Sequence, residues 1–343
     1  MGKNKIFNVI KVDNAVGKVL SHDITEIVPG KVKDAAFRKG HIIRKQDIKK
    51  LKSLGKEHIY TINMPKNHYH ENEAALKFRK LGGKNIKTSG PVEGKVQFIA
   101  ACDGLLKIDK KTVDKINAIK HMTFTTIHSD IPVKKNELIA GIRIIPLVVD
   151  KKSVQKVLKI GSVPPISIAP FGKKKIGLIV TGQEIASGKI KDGFRPVMER
   201  KMKEYGCKIN EFKIIGDDIK KITAEILSLS KKGCDFIMLT GGMSVDPDDI
   251  TKVAIRRSGV KVVSYGAPIL PGNMFMAGYL KDIPVFGVPA CALFYKITAL
   301  DLFLPYVFSN TKINKKDITM RGYGGFCRYC KICIFPRCGF GKC

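Results

Sequence analysis

The sequence predicts an α/β protein: a three-layer, mostly parallel sheet domain at residues 172–309, preceded by smaller β-rich α+β regions and followed by a short cysteine-rich tail. Three observations carry the prediction. The runs Ile176-Gly-Leu-Ile-Val180, Phe236-Ile-Met-Leu239 and Pro284-Val-Phe-Gly-Val288 are apolar throughout, so a strand made from any of them needs cover on both faces. Helix-period segments separate the strand-like runs. The loops that follow the runs begin with Thr, Gly or Pro, the composition of turns that lead from strand to helix.

Taken in order, residues 1–60 form a small β-rich unit. Its apolar patches, Val16 to Leu20 and Ile42-Ile43, are separated by the turn signal Pro29-Gly30, and residues 47–55 read as a helix with an acidic start and a glycine stop. Residues 61–165 form an α+β region. Its first stretch, 61–90, is a polar linker, in which His68, His70 and Glu71 are expected on a solvated surface. A helix is expected at 110–119. Pro164-Pro165 and Pro170 precede Lys173-Lys174-Lys175 and mark a hinge. Beyond it come strands at 176–180, 212–215, 236–239, 260–264 and 284–288. Helices are expected at 196–205, before Gly233 (Ile222, Ile226 and Leu229 share a face), near 249–257 and at 291–303.

With 343 residues the chain has room for about two or three domains. Hydrophobic residues at 44% exclude global disorder and a fibrous repeat. No apolar run approaches the ~18 residues of a membrane helix, and no apolar core follows the basic start, so a cytoplasmic protein without a membrane anchor is expected. The 62 Lys and Arg against 30 Asp and Glu leave a net charge of +32, which favours anionic partners. The lysines are dispersed, Trp is absent, aromatics are only 8% and no zinc-finger, RNP or basic-zipper signature appears. This pattern argues against nucleic acid as the main partner and suits an anionic small molecule.

In an open α/β sheet, ligands sit beyond the carboxyl ends of the strands. Four such ends share one chemistry: Thr181-Gly182, Gly216-Asp217-Asp218, Thr240-Gly241-Gly242-Met243-Ser244 and Gly287-Val288-Pro289-Ala290. Glycines allow close backbone approach, and Thr and Ser hydroxyls and helix N-termini add donors, which together describe an oxyanion site. Glu184, Asp192, Asp246, Asp248 and Asp249 fall on the same rim. Carboxylates beside a phosphate cradle make sense where Mg²⁺ bridges the two. Read singly, Asp217, Asp218 and Asp246 serve equally well as helix caps, and Asp249 as a favourable charge in a first helical turn.

The segments Thr181-Gly-Gln-Glu-Ile-Ala-Ser-Gly-Lys-Ile-Lys-Asp192, Thr240-Gly-Gly-Met-Ser-Val-Asp-Pro-Asp-Asp249-Ile-Thr251 and Leu270-Pro-Gly-Asn-Met-Phe275 resemble the successive motifs of the molybdopterin-binding domain, found in molybdopterin adenylyltransferases and molybdenumtransferases. Residues 15–24 are similar to the start of the molybdenumtransferases. The resemblance implies a pterin dithiolene ligand with a terminal phosphate, molybdopterin or Mo-molybdopterin, and a late step of molybdenum cofactor biosynthesis: insertion of molybdate or transfer of an adenylyl group. It implies Asp192 and Asp249 as catalytic residues that hold Mg²⁺. Thr181, Gly182, Glu184, Thr240, Gly241, Gly242, Ser244, Asp246, Pro271, Gly272, Asn273 and Pro289 would bind the cofactor. Molybdoenzymes, other cofactor-biosynthesis proteins and a second copy of the chain are the partners it suggests. Asn273 stands where the molybdenumtransferases usually carry Lys, Ala290 replaces a glycine, and the family's N-terminal Asp-Arg-Ser-Ala-Met-Asp-Gly signature is missing. A non-catalytic carrier or sensor of the cofactor, and a nucleotide-processing enzyme that shares the domain, are the alternatives.

Five of the nine cysteines, Cys327, Cys330, Cys333, Cys338 and Cys343, close the sequence. In a reducing compartment such spacing suits a metal centre rather than disulfides: tetrahedral Zn²⁺, or a [4Fe–4S] cluster, which the C-x2-C-x2-C run resembles. Gly322, Gly324 and Gly325 before it read as a flexible tether.

Overall fold

A computed structural model of the chain describes residues 7–28, 32–62, 64–243 and 250–342. They divide into two compact units, one of residues 1–101, 108–127 and 135–167 and one of residues 102–107, 128–134 and 168–343. No described helix is long and apolar enough to cross a membrane.

In the first unit, Phe7–Lys11, His58–Ile62 and Val19–Leu20 pair antiparallel, and the helix Asp47–Ser53 lies nearby in sequence. Val12, Ala15, Leu20, Ile24, Ile43, Leu51 and Ile59 form a buried cluster of their own. A second antiparallel sheet runs in the order Met122–Thr126, Leu138–Ile144, Lys95–Ala100, Ile86–Val92. The expectation of a solvated surface around His70 and Glu71 is corrected here, because both are buried, at 4% and 2% exposure. His70 starts the helix Glu71–Lys77: its Nδ1 accepts the Asn72 amide at 3.2 Å, and the Glu73 carboxylate accepts the His70 amide at 3.3 Å. That capping exchange fixes the His70 ring at the start of the helix.

The second unit holds the α/β domain. Its strands are β1 (Ile176–Thr181), β2 (Ile209–Ile215), β3 (Phe236–Thr240), β4 (Lys261–Tyr265), β5 (Met276–Leu280) and β6 (Ile283–Val288), and they form a sheet of order β2-β1-β3-β6-β5-β4. β2, β1, β3 and β6 are mutually parallel, while β5 pairs antiparallel with β6 and β4 antiparallel with β5 at the far edge. β5 escaped the sequence reading. It folds back onto β6 through Lys281 and Asp282, a two-residue turn with Lys281 at a φ of 57°.

Side chains alternate between the two faces of the sheet. Leu178, Val180, Phe236, Met238 and Phe286 pack against Met198 and Met202 of α1 (Phe194–Lys203) and the apolar face of α4 (Ala299–Phe308). Ile179, Ile237, Leu239 and Val285 pack against Ile222, Ile226 and Leu229 of α2 (Ile219–Lys231) and Ala254 and Ile255 of α3 (Thr251–Arg257). This is the expected three-layer arrangement.

The helix expected at 291–303 is displaced. A single 3-10 turn, Ala290–Leu293, comes first, and α4 starts afresh at Ala299. Thr298 sets the new start, because its amide donates to the Asp301 carboxylate at 2.7 Å. The other Asp301 oxygen takes Lys201 of α1 at 2.5 Å, a pair buried to 5% and 9% side-chain exposure. Lys201 also donates to the Lys296 carbonyl at 2.8 Å, so one ammonium locks α1 to the entry of α4.

The glycine run before the cysteines is not a tether. A Cβ on Gly325 would stand 2.3 Å from the Pro268 carbonyl oxygen, and one on Gly341 would stand 2.3 Å from Leu302. These glycines exist so that the tail can lie flat on the domain. Phe340 is 5% exposed within the main core. Arg321, buried at 2%, donates to the Gly341 carbonyl and to the Tyr306 hydroxyl. Local glycine content suggested flexibility, and long-range packing overrode it.

Candidate functional site

The carboxyl ends of β3 and β6 and the loop before β5 converge on a cleft of about 420 Å³. Six residues named from the sequence line it together: Gly241, Gly242, Pro271, Gly272, Asn273 and Pro289. Gly241 and Gly242 have φ values of 86° and 52°, and a Cβ on Gly241 would stand 2.1 Å from the Thr181 carbonyl oxygen. Only glycine fits a left-handed turn pressed this closely onto β1. Gly272, at φ 127°, packs on Ala299, whose amide donates to the Pro271 carbonyl at 3.0 Å. The start of α4, fixed by Lys201 and Asp301, therefore fixes this wall of the cleft.

The threonines act inside the sheet. Thr181, 1% exposed, donates from Oγ1 to the Thr240 carbonyl at 3.1 Å and meets the Thr251 hydroxyl at 2.7 Å, tying β1, β3 and α3 together. Thr240 is fully buried at the end of β3, and among the described residues its Oγ1 has no hydrogen-bond partner. Among these residues nothing satisfies the hydroxyl proton or the oxygen lone pairs, directly behind the Gly241-Gly242 turn.

Gly182, with φ 136°, leads into a four-residue helix, Gln183–Ala186, on which Glu184 is exposed. Neither residue lines the cleft. Asp192 caps α1, with its two carboxylate oxygens accepting the amides of Phe194 at 2.7 Å and Arg195 at 3.2 Å. Asp217 accepts the Gln183 amide at 3.0 Å, and Asp218 caps α2 through the Lys221 amide at 3.1 Å. Ser244, Asp246, Asp248 and Asp249 lie outside the described residues.

Asn273 donates from Nδ2 to the Ala267 carbonyl at 3.2 Å, which braces its own loop. No described residue of the cleft lining carries a formal charge. Cys291 lines it too, and burial pushes its thiol up from the usual range. Burial, joined by Tyr295 and the Cys327 and Cys291 thiols, also raises Tyr329, so its hydroxyl stays protonated. Backbone groups, an amide and tyrosine hydroxyls can hold the polar end of an anion whose attraction comes from the charge of the whole chain.

Met243, Leu270, Met274, Ala290, Cys291, Tyr295 and Tyr329 complete the lining and were not among the binding residues expected. Ala290 and Cys291 sit one and two positions past Pro289, so the loop signal already reached them. Tyr295 and Tyr329 had no local signal, because the fold brings them in from distant segments.

Cys327, Cys330, Cys333 and Cys338 line a second cavity of about 480 Å³, while Cys343 lies outside the described residues. Among the described residues no three His, Cys, Asp or Glu side chains gather closely enough to hold a metal ion. The described donors therefore do not fit Mg²⁺ at Asp192, whose oxygens are engaged as caps, nor do the four thiols converge on one metal.

Residues 177–308 match a family described as "Probable molybdopterin binding domain", and residues 9–63 match a domain of unknown function. A "CinA-like protein" of Mycobacterium sp. (strain JLS) is 31% identical over 83 residues, 24% of this chain and 20% of that protein. The "Putative molybdopterin biosynthesis protein" of Methanocaldococcus jannaschii is 28% identical over 178 residues, 45% of this chain and 42% of that protein. The chain thus spans well under half the length of these relatives. The tungsten cofactor synthesizing protein MoaB of Pyrococcus furiosus is 21% identical, with 42% of this chain and 98% of that one covered and a TM-score of 0.35. The segment 177–308 is a domain of the molybdopterin-binding family.

Proposed function

We propose that this domain binds molybdopterin, or its adenylylated form, and acts late in molybdenum cofactor biosynthesis, at molybdate insertion or adenylyl transfer in the cytoplasm. One observation carries the reading. Two of the three segments that resemble the family's successive motifs come together on a single cleft, through Gly241-Gly242 and Pro271-Gly272-Asn273, and Pro289 after β6 joins them. The glycine turn offers close backbone approach to the ligand's phosphate, and the buried Thr240 hydroxyl stands behind it. Asp249 would orient the reacting phosphate.

A non-catalytic carrier is the second reading, favoured by two side chains that are already engaged. Asp192 caps α1 and Asn273 braces its own loop, where a transferase needs groups directed at the substrate.

The test introduces charge at the cleft rim. Ala290 is exposed there. In Ala290→Asp the new carboxylate repels an anionic ligand, and molybdopterin retained by protein purified without oxygen should fall about tenfold or more, measured by mass spectrometry of released small molecules. Retention equal to the parent chain sinks the reading. In cell extract, Asp249→Asn should abolish cofactor processing by a transferase and leave a carrier unaffected.

A further inference from the structure

The cysteine-rich tail is built into the wall of the cleft. The Leu270 amide donates to the Gly325 carbonyl and the Cys327 amide donates to the Leu270 carbonyl, both at 2.8 Å. Leu270 lines the cleft itself, so the tail pairs with the loop that carries Pro271, Gly272 and Asn273. Tyr295 and Tyr329 line this cleft and also the second, cysteine-lined cavity. Their ring centroids are 5.3 Å apart at an angle of 46°.

The second cavity differs chemically from the first. Its walls are the aromatic rings of Phe294, Phe326, Phe335 and Phe340, the aliphatic Ile334, and the four thiols. Among the described residues no carboxylate lines it, whereas Lys296 and Arg328 do. Phe294, Phe326 and Ile334 are 80%, 65% and 54% exposed, an apolar surface left uncovered at the edge of a polar cleft. Such a surface suits a flat heteroaromatic ring, which stacks on tyrosine and phenylalanine, touches sulfur favourably and leaves its polar edge to the two cations. Ligand sites of 300–1,000 Å³ are ordinary, and each cavity falls within that range.

We propose that the tail cavity is a second subsite, which holds the planar ring of a ligand whose anionic end lies at Gly241-Gly242. The proposal rests on the molybdopterin-binding reading above and deepens it. The Cys-rich segment then sets specificity for ring-bearing anions, and Tyr329 and Tyr295 mark the passage between the two ends of the ligand.

The test uses the full chain under reducing conditions and three probes: inorganic phosphate, neopterin, and neopterin monophosphate, which joins a fluorescent pterin ring to a phosphate through a three-carbon chain. The parent chain should bind neopterin monophosphate at least about tenfold more tightly than inorganic phosphate. Phe294→Ala and Ile334→Ala, at exposed positions that line only the second cavity, should each remove most of that gain while affinity for inorganic phosphate stays within about twofold. Ala290→Asp should weaken neopterin monophosphate and phosphate alike, and neopterin little. Equal affinity for phosphate and neopterin monophosphate in the parent, or no loss in Phe294→Ala and Ile334→Ala, overturns the subsite. The binding function itself survives that result as long as Ala290→Asp still weakens both anions. If Ala290→Asp weakens neither, the cleft reading fails first.

Discussion

The Nδ1 of His70 accepts an amide proton, so this imidazole has to stay neutral for the helix behind it to keep its cap. Burial holds its pKa below the ordinary histidine value. A depressed folded pKa means that the stability it contributes is full above the unfolded value and is lost as pH falls through the folded one. Melting temperature should therefore fall from about pH 7.5 to about pH 5.5, and His70→Asn, which keeps an N-terminal cap without a titrating ring, should flatten that slope. Glu71, pushed up by its own burial, slopes the other way, so the comparison with the variant is what isolates His70. Lys201 and Asp301 set a second expectation. Removing one partner strands the other in a site of 5–9% exposure. Asp301→Ala should cost about 3–5 kcal/mol in urea unfolding, and Lys201→Met with Asp301→Leu should recover much of it. Neither residue could be singled out in the sequence, because 100 positions separate the two and only the packing of α1 on α4 joins them.

At the scale of elements, the central strands β1, β3 and β6 were legible because burial on both faces leaves a continuous apolar run. β5 was not, since Met276–Leu280 carries Gly and Tyr and its pairing is set by the Lys281-Asp282 turn. The site follows the same division. The glycine turns could be read from composition, because Gly241 has almost no substitute at 2.1 Å from a carbonyl oxygen. The tail's place on the cleft depends on contacts that begin some fifty positions away at Leu270, which no local pattern encodes. Arg321 is the element's anchor. Arg321→Met keeps the stem's volume but loses the bonds to Gly341 and Tyr306. The variant should show faster amide exchange across residues 323–342 and faster thiol labelling of Cys327 and Cys338, with exchange in β1 and β3 unchanged.

Across the whole molecule, the second unit draws in residues 102–107 and 128–134 from an earlier part of the chain. Leu105 is fully buried in its core, and Lys107 pairs with Asp130. Burial raises the Asp130 carboxyl, but hydrogen bonding and charge from Lys107 outweigh it and hold the group below the ordinary range. A fragment that starts at Ile168 lacks all three residues. It should unfold at lower denaturant than the same unit in the full chain, by about 2–5 kcal/mol from the missing leucine alone. Composition gave no sign of this exchange, since a short strand looks the same whichever core receives it.

Phe340 and Gly341 seat against a domain whose first core strand lies some 160 positions earlier. During synthesis, β1 through α4 leave the ribosome before Phe340 and Gly341 do. The sheet and its helices are thus made before the residues that close their core.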